Sequence, residues 1–272
     1  MAKSILKSYK NNPATSIRDM AKKKGTSHTY IQKVKKLFNF KTFKVFKMPD
    51  RNEKQQLIAK LRARKLYHKI LTKNVGCMVM DDETYVKSDF KQLPGQSFYV
   101  SKVRGGVKNK FRLIRIGKFP KKHMIWQAIC TCGRKSQPYV AAGSINSNIY
   151  ITECLQKRLL PFLQSHSTQP LFWLDLASCH YSKLTLKWYA ENNINFVQKY
   201  HNPPNCPELR PIEVFWAKMK QILRKMRNPA KDVEDFKRKW KIANNIMDQE
   251  SVQRLMGGVK RKVRSFIRKN NN

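Results

Sequence analysis

The chain has 272 residues, of which 41% are hydrophobic and 11% aromatic, enough to form a folded core and to exclude wholesale disorder. Fifty-seven Lys and Arg residues against 17 Asp and Glu give a net charge of +40, which points to a polyanionic partner, above all nucleic acid. The sequence shows neither an apolar run long enough to span a bilayer nor a signal-peptide pattern, so we expect no membrane partner.

The first 75 residues carry 21 Lys or Arg residues and only three acids. Their pattern predicts three short helices over residues 3–37, an extended basic linker over 38–50 and an amphipathic helix over 51–72. The apolar stripe expected on that last helix consists of Leu57, Leu61, Leu66, Ile70 and Leu71.

Within the first segment, the spacing of four residues is typical of a helix-turn-helix. Ala21 lets two helices cross closely, Gly25 supplies a tight turn, and Ile31 and Val34 direct the second helix into a core. The alternative is a generic basic helical hairpin, since such spacings also recur by chance. The strongly basic balance of the segment favours DNA binding.

Ser16 and Ser27 are the predicted N-caps of the two helices of this motif, and Asp19 adds an acid to the first turn. The outward face of the second helix then presents side chains suited to base edges and phosphates. The predicted DNA-binding residues are His28, Thr29, Gln32, Lys33 and Lys36.

From about residue 76 the sequence changes to short runs rich in branched and aromatic residues, followed by alternating helical and strand patterns. This order predicts an α/β domain with a mixed sheet flanked by helices. Strands are expected at 77–80, 97–103, 124–130, 137–142, 171–176 and 194–198, and helices at 149–164, 183–192, 212–226 and 259–269.

Acidic residues in apolar surroundings need an explanation in so basic a protein, because a partly buried carboxylate is costly unless a cation neutralises it. Asp81, Asp82 and Glu83 follow an apolar strand, Asp175 lies within one, and Glu213 falls in the first turn of a helix that begins at a proline. Two aspartates and a glutamate can hold two Mg²⁺ ions for phosphodiester chemistry. Taken singly, each acid could equally be an ordinary strand-end or capping residue.

The six cysteines are predicted to be free thiols in a reducing compartment. No CxxC pair occurs, and the close pair Cys130 and Cys132 has no second pair at zinc-ligand spacing. Basic runs at 22–24 and 260–262 predict a nuclear location, although such runs also occur on DNA-facing surfaces. The cysteines are Cys77, Cys130, Cys132, Cys154, Cys179 and Cys206.

Three of these motifs, in this order after a helix-turn-helix, resemble those of the Tc1/mariner superfamily of DDE/D transposases, whose core is RNase H-like. The Asp82-Glu83 pair, Asp175 with His180 five residues on, and the stretch 202–213 ending in Pro-Ile-Glu match the family's three acidic motifs. Thirty-seven residues (176–212) separate Asp175 from Glu213, a DD37E-like spacing.

The resemblance implies that Asp82, Asp175 and Glu213 are the catalytic metal ligands, with Mg²⁺ or Mn²⁺ as two ions, and that His180 lies beside them. Asp81 and Asp82 point to opposite faces of a strand, so only one can join the site, and the family's Asp-Glu register selects Asp82. Basic residues on the helix after Glu213, such as Lys220, and the basic tail are expected to follow phosphates.

The resemblance further implies a homodimeric enzyme that binds terminal inverted repeats in double-stranded DNA, cleaves there and joins the 3′ ends to target DNA at TA. Family members carry two helix-turn-helix units, and the one recognised here resembles the second, so the first is expected to be missing. Two alternatives stay open: a truncated or domesticated DNA-binding derivative without transposition, and a basic protein that coats nucleic acid. The expected domains are a helix-turn-helix over 1–37, a linker and helix over 38–75, an RNase H-like catalytic domain over 76–228 and a basic helical extension over 229–272.

Overall fold

The computed structural model describes residues 1–41, 49–73, 76–94, 120–141, 143–226 and 228–268. The chain divides into two compact units, Met1–Met48 and Pro49–Asn272. In the ranges described, no helix combines the length and the apolar character needed to cross a membrane. The strand expected at 97–103 lies outside the described residues.

The first unit consists of three helices: α1 (Ala2–Asn11), α2 (Ile17–Lys23) and α3 (His28–Leu37). Both predicted caps are confirmed, because Ser16 Oγ accepts from the amide of Asp19 and Ser27 Oγ from that of Tyr30, each at 3.1 Å. Gly25 adopts a φ of 58° in the turn, a conformation that favours glycine. The unit's small core contains Ile5, Tyr9, Met20, Ala21, Ile31 and Val34.

The second unit is built on a four-stranded sheet of order β3-β2-β1-β4. Strand β1 (Met78–Lys87) pairs antiparallel with β2 (Lys122–Cys130), which pairs antiparallel with β3 (Tyr139–Ala141). On its other side β1 pairs in parallel with β4 (Leu171–Trp173). The predicted mixed sheet flanked by helices is therefore confirmed.

Helices flank this sheet, and most of them follow its first three strands in the chain. Helix α4 precedes it and continues into a π-helical turn, and α5 is a continuous helix with a long π-helical middle. The bounds are α4 (Glu53–Leu66, then Tyr67–Leu71), α5 (Ser147–Ile149, Tyr150–Leu159 and Leu160–Gln164), α6 (Lys183–Glu191), α7 (Pro211–Lys225), α8 (Val233–Ile246), α9 (Gln249–Met256) and α10 (Val259–Arg268). Short 3₁₀ turns occupy Phe90–Gln92, Ser178–Tyr181, Lys199–His201 and Pro207–Leu209.

Alternate residues of the central strands serve two separate cores, as the period-two geometry of a strand requires. Met80 and Trp173 belong to the core that includes α4 and α7–α10. Val79 and Phe172 belong to the opposite core, which contains the side chains of α5 and α6. The two faces of β1 therefore pack against different helices. Consecutive acids on this strand point to opposite faces and so have different neighbours.

Three strand predictions differ from the structure, and one of them is the strand predicted at 171–176, which is only the three residues of β4. Strand β1 does not end at residue 80 but continues through its acids to Lys87, because β2 pairs with it along that whole length. The strand expected at 194–198 is reduced to a single parallel bridge between Phe172 and Phe196, because β4 itself is only three residues long.

The predicted stripe of α4 was wrong in its first half. Leu57 and Leu61 are 60% and 45% exposed, whereas Ala59 and Ala63 are fully buried. Helix α4 packs against α10, and small side chains on the contact face let two helices approach closely. The sequence pattern predicted that the large leucines would be buried, but alanines form the buried face of this helix.

The C-terminal helices belong to the main core of the second unit. Trp240 on α8, Val252 on α9 and Val263 on α10 are all fully buried in the same cluster as Met80 of the sheet. The segment after residue 228 is therefore integrated into the fold.

Replacing Trp240 by alanine is expected to lower the free energy of unfolding by about 3–5 kcal/mol, since a fully buried aromatic side chain is lost. Ile242→Ala is the matched control on the same helix, 49% exposed, and should change it by no more than about 0.5 kcal/mol. Equilibrium denaturation in urea measures both. Equal effects of the two changes would show that α8 does not pack as described.

Candidate active site

The three consecutive acids of β1 lie on different faces of the sheet. Asp81 shares its face with Val79 and is fully buried, while Asp82 shares the opposite face with Met80 and is half-buried. Because α5 covers one face and α7 the other, the neighbouring carboxylates have unrelated surroundings.

Asp81 is held by aromatic donors in the core. Its Oδ2 accepts hydrogen bonds from Trp126 Nε1 at 2.9 Å and from Tyr150 Oη at 2.7 Å. Burial raises the pKa of Asp81 to about 6, with His180 and Tyr150 opposing and neighbouring acids adding to the rise. With both donors on the sheet and α5, this carboxylate faces the core, which fits a structural role.

Asp82 faces the first turns of α7. Trp216 Nε1 donates to Asp82 Oδ2 at 2.9 Å, so a tryptophan of the core also orients the carboxylate. Burial raises the pKa of Asp82 to about 7, with Arg210 opposing the rise and repulsion from Glu213 and Glu83 adding to it. One turn along α7 from Trp216, Lys220 Nζ donates to Thr84 Oγ1 at 2.7 Å.

His180 connects the acids of β1 with the acid that follows β4. Its Nδ1 lies 2.5 Å from Asp175 Oδ1 and its Nε2 lies 3.2 Å from Glu83 Oε1, while the ring stacks on Tyr150 at 4.1 Å. Burial lowers the pKa of His180, but its two carboxylate partners outweigh that effect and raise it well above the usual value. A carboxylate therefore faces each ring nitrogen of this buried imidazole.

The pKa of Asp175 is shifted in the opposite direction to that of Asp82. Burial raises its pKa, but the contact with His180, a 2.8 Å hydrogen bond from the amide of Ala177 and the charge of Arg210 lower it to about 2. Asp175 is thus fully ionised at neutral pH, and His180 lies beside it, as the sequence motifs predict.

Arg210 closes the gap where β1 and β4 separate. Their pairing ends at Met80 and Trp173, and beyond it the guanidinium donates to Asp81 O at 2.6 Å and to Leu174 O at 3.0 Å. Both carbonyls lie beyond the last paired residues of β1 and β4, so the arginine supplies hydrogen bonds where the pairing of these two strands has ended.

The loop before α7 is anchored from two sides. Asn202 is buried, donates to Leu174 O at 2.8 Å and accepts from Trp173 Nε1 at 2.9 Å. Arg51, whose side chain is 1% exposed, forms an ion pair with Glu208 at 2.5 Å and also donates to the backbone of Asn205. The approach to Glu213 is therefore held by groups from the sheet and from the segment that precedes α4.

One pocket brings the predicted triad together. Asp82, Asp175 and Glu213 all line it, and Glu213 is exposed in the first turn of α7. The other lining residues are Leu176, Ala177, Asn202, Pro203, Asn205, Cys206, Pro207 and Arg210.

The carboxylates of this pocket are suited to a divalent cation. Asp82, Glu83 and Asp175 can each place one oxygen within 4.8 Å of the others, and Glu213 approaches closely enough to raise the pKa of Asp82. Such crowding of hard oxygen ligands is relieved by Mg²⁺ or Mn²⁺. The donor set and its charge therefore fit the metal that the sequence motifs predict.

The predicted DNA-binding side chains lie on one helix of the first unit. His28, Thr29, Gln32, Lys33 and Lys36 of α3 are all exposed, whereas Ile31 and Val34 on the same helix are buried. The geometry leaves these five side chains available to a partner.

The sequence did not predict three residues that line the pocket or support the segments around it. Glu83 was noted only as a motif neighbour, and Arg210 and Arg51 were not singled out. Arg210 had one available signal, an unexpected cation inside an acidic motif. Arg51 had none, since its partner Glu208 is 157 residues away.

Part of the second unit is similar to a known protein family. Residues 118–237 match the protein family described as DDE superfamily endonuclease. No curated protein matches the chain. The matched region includes Asp175 and Glu213, two acids of the pocket.

Solved structures extend the likeness over most of the chain. The Mos1 strand transfer complex aligns with a TM-score of 0.71 at 16% identity, over 98% of this chain and 77% of that one. The mariner Mos1 paired end complex with Mg gives 0.72 at 15%, over 98% and 77%. The isolated catalytic domain of Mos1 mariner transposase gives 0.58 at 15%, over 82% and 96%. The fold is thus RNase H-like, as the sequence predicts, and it is shared with structures of the Mos1 transposase.

The raised pKa of Asp82 predicts how stability depends on pH in chelator-treated protein. The folded state retains a proton that the unfolded chain releases between about pH 4 and 7, so ionising Asp82 lowers the free energy of unfolding as the pH rises. Relative to the native chain, Asp82→Asn should therefore become more stable from pH 4 to 8. Asp50→Asn, at an exposed position, should run parallel to the native chain. Parallel curves for Asp82→Asn in chemical denaturation would contradict the assignment.

Proposed function

We propose that the protein binds the terminal inverted repeats of a transposon, hydrolyses phosphodiester bonds there and joins the 3′ ends to target DNA at TA. The observation that carries this proposal is the pocket in which Asp82, Asp175 and Glu213 meet within the DDE-type fold. The net charge of +40 supports a nucleic-acid substrate.

In this proposal Asp82, Asp175 and Glu213 are the catalytic residues and would hold Mg²⁺ or Mn²⁺, as two ions, with Glu83 available as a further oxygen ligand. When bound, the metal makes the attacking water or 3′-hydroxyl more acidic and stabilises the leaving oxygen. A structure of the mariner Mos1 paired end complex contains Mg, which supports this choice of cation.

The surrounding side chains prepare the carboxylates for that task. His180 keeps Asp175 ionised and oriented between β4 and β1. Trp216 fixes one oxygen of Asp82 and leaves the other free for a ligand. Arg210 maintains the spacing of the two strands, and its positive charge lies beside the place where a scissile phosphate would enter.

The exposed face of α3 is the proposed reader of the repeat. His28, Thr29 and Gln32 offer donors and acceptors for base edges, while Lys33 and Lys36 are suited to phosphates. Solved Mos1 structures include a paired-end complex with a left transposon end, which supports DNA-end binding by this fold.

We further propose a homodimer located in the nucleus. Leu57 and Leu61 form an exposed apolar pair on α4, a feature typical of a surface that a partner covers. Transposition requires two ends to be held together, which a dimer achieves. The basic runs at 22–24 and 260–262 support nuclear import.

Removing any one acid of the triad should abolish cleavage without abolishing DNA binding. Asp82→Asn, Asp175→Asn and Glu213→Gln are each expected to slow nicking by more than about 100-fold, since even outer ligands of metal sites cost 10–100-fold. Asp81→Asn should cost less because its side chain faces the core. The assay is nicking, with Mn²⁺, of a plasmid carrying the genomic flanks of the coding sequence.

Glu234→Gln, at an exposed position on α8, is the control and should nick like the native chain. Sequence-specific binding to the flanks with no nicking by the native chain would favour the domesticated, non-transposing derivative. Binding that is indifferent to sequence would favour a nucleic-acid coat protein. Unchanged nicking by Asp175→Asn would refute the proposed site.

Substitutions on α3 should separate sequence reading from phosphate binding. Gln32→Ala is expected to lower the preference for the repeat over random DNA by about 1–3 kcal/mol. Lys33→Ala should weaken binding to all sequences and reduce the salt slope of the logarithmic affinity by about 1. Fluorescence anisotropy over a salt series measures both.

Lys7→Ala on α1 removes the same charge outside α3 and should leave the sequence preference unchanged. An equal loss of preference in Lys7→Ala and Gln32→Ala would mean that α3 does not read the repeat.

A further inference from the structure

Four ligand atoms, three sulfurs and one imidazole nitrogen, meet at the end of the strands opposite the acidic pocket. Cys77, Cys130, Cys132 and His166 can each place one sulfur or ring nitrogen within 4.8 Å of the others. Cys130 and Cys132 are neighbours at the end of β2 and in the turn after it, whereas Cys77 precedes β1 and His166 follows α5. The fold therefore assembles a cluster that no local motif shows.

The measured separations suit a tetrahedral ion. His166 Nε2 lies 3.2 Å from Cys130 Sγ and 3.5 Å from Cys132 Sγ. Zinc bound at about 2.3 Å to sulfur and about 2.0 Å to nitrogen needs ligand atoms roughly 3.5–3.8 Å apart. The two separations from His166 Nε2 are within a few tenths of an ångström of this spacing, and all four ligand atoms lie within 4.8 Å of one another.

The histidine is already oriented as a ligand. His166 Nδ1 lies 2.8 Å from the carbonyl oxygen of Phe162, which can only accept, so Nδ1 carries the proton. The lone pair of Nε2 then points toward the sulfurs. Fixing of the ring by a backbone carbonyl in this way is the usual outer support of zinc-binding histidines.

Polar groups around the sulfurs would balance their charge. The amide of Cys132 donates to Cys130 Sγ at 3.5 Å, and Arg134 Nε donates to Cys132 Sγ at 3.3 Å. Three thiolates with one Zn²⁺ carry a net charge of −1, which the guanidinium of Arg134 offsets. Arg134 itself is fixed by the carbonyl of Ser165, next to His166.

The turn that carries two of the cysteines has little freedom to vary. Gly133 follows Cys132 with a φ of 87°, and a Cβ there would approach the backbone oxygen of Gln249 to 2.3 Å. Gln249 Nε2 also donates to Cys132 O at 2.9 Å, so α9 supports the turn. An ion in the cluster would join this turn to β1 and α5.

We propose that Cys77, Cys130, Cys132 and His166 bind one Zn²⁺ as a closed, structural Cys₃His site. Four protein ligands leave no open position for a substrate, which distinguishes it from a catalytic zinc. It is also separate from the acidic pocket, because Cys77 and Asp82 are five residues apart along β1, about 16 Å. This proposal stands independently of the transposase activity.

The test is the metal content and the metal spectrum of the purified full chain. Mass spectrometry of the metals should find one zinc per chain, retained through gel filtration. Exchange of zinc for Co²⁺ should produce the intense visible bands of a tetrahedral ion and a sulfur-to-cobalt charge-transfer band. Bound zinc should also protect three of the six cysteines from alkylation.

Matched variants assign the signal to the cluster. Cys132→Ser and His166→Gln should each lose at least half of the zinc, whereas Cys154→Ala, a buried cysteine outside the cluster, should keep it. Asp175→Asn should also keep it, which separates this site from the catalytic pocket. If a ligand variant fails to fold, the cobalt spectrum of the native chain decides.

Three results would overturn the proposal. They are a chain that binds no zinc and shows no sulfur-to-cobalt band, zinc that survives in Cys132→Ser, and zinc that is lost only in Asp175→Asn. The first would leave the cysteines as reduced thiols, and the last would place the zinc in the acidic pocket.

Discussion

The guanidinium of Arg210 bridges strands β1 and β4 at the point where their pairing ends. Pairing between β1 and β4 stops at Met80 and Trp173, and the next carbonyls, of Asp81 and Leu174, are satisfied by the arginine. The same side chain adds a positive charge beside Asp82 and Asp175, so one residue fixes both the spacing and the charge balance of the pocket.

The division of labour between Asp81 and Asp82 follows from the pleat of β1. Asp81 points to the core beneath α5, where Trp126 and Tyr150 donate to it. Asp82 points toward α7, where Trp216 donates to one oxygen and Glu213 lies nearby. An overall charge of +40 does not remove the local repulsion among these acids, because the fixed carboxylates are far closer to one another than to most of the surface lysines.

The two ends of the sheet present opposite ligand chemistries. The end with Asp82 and Asp175 offers hard carboxylate oxygens in an open pocket, while the other end gathers thiols and an imidazole. Metals of the magnesium type prefer the first set, and zinc prefers the second. The acidic pocket is open to a substrate. The cluster of thiols and imidazole lies where β1, the turn after β2 and the end of α5 meet.

Much of the architecture was determined by the sequence itself. Periodicity and cap chemistry are local, so the three helices of the first unit, Ser16 and Ser27 as caps and the mixed sheet with its flanking helices could be predicted. Apolar surroundings marked the acids as candidates, and the resemblance of their motifs to those of Tc1/mariner transposases selected Asp82, Asp175 and Glu213 among them.

Tertiary structure decided whatever depends on contacts between distant segments. Burial chose Ala59 and Ala63 over Leu57 and Leu61 on α4, because the fit against α10 and not hydrophobicity alone sets a helix contact. It placed Arg210 between two strands, and it brought Cys77 within reach of a histidine 89 positions later (77 to 166). Such sites depend on which segments the fold brings together. The separation of residues along the chain does not predict these contacts.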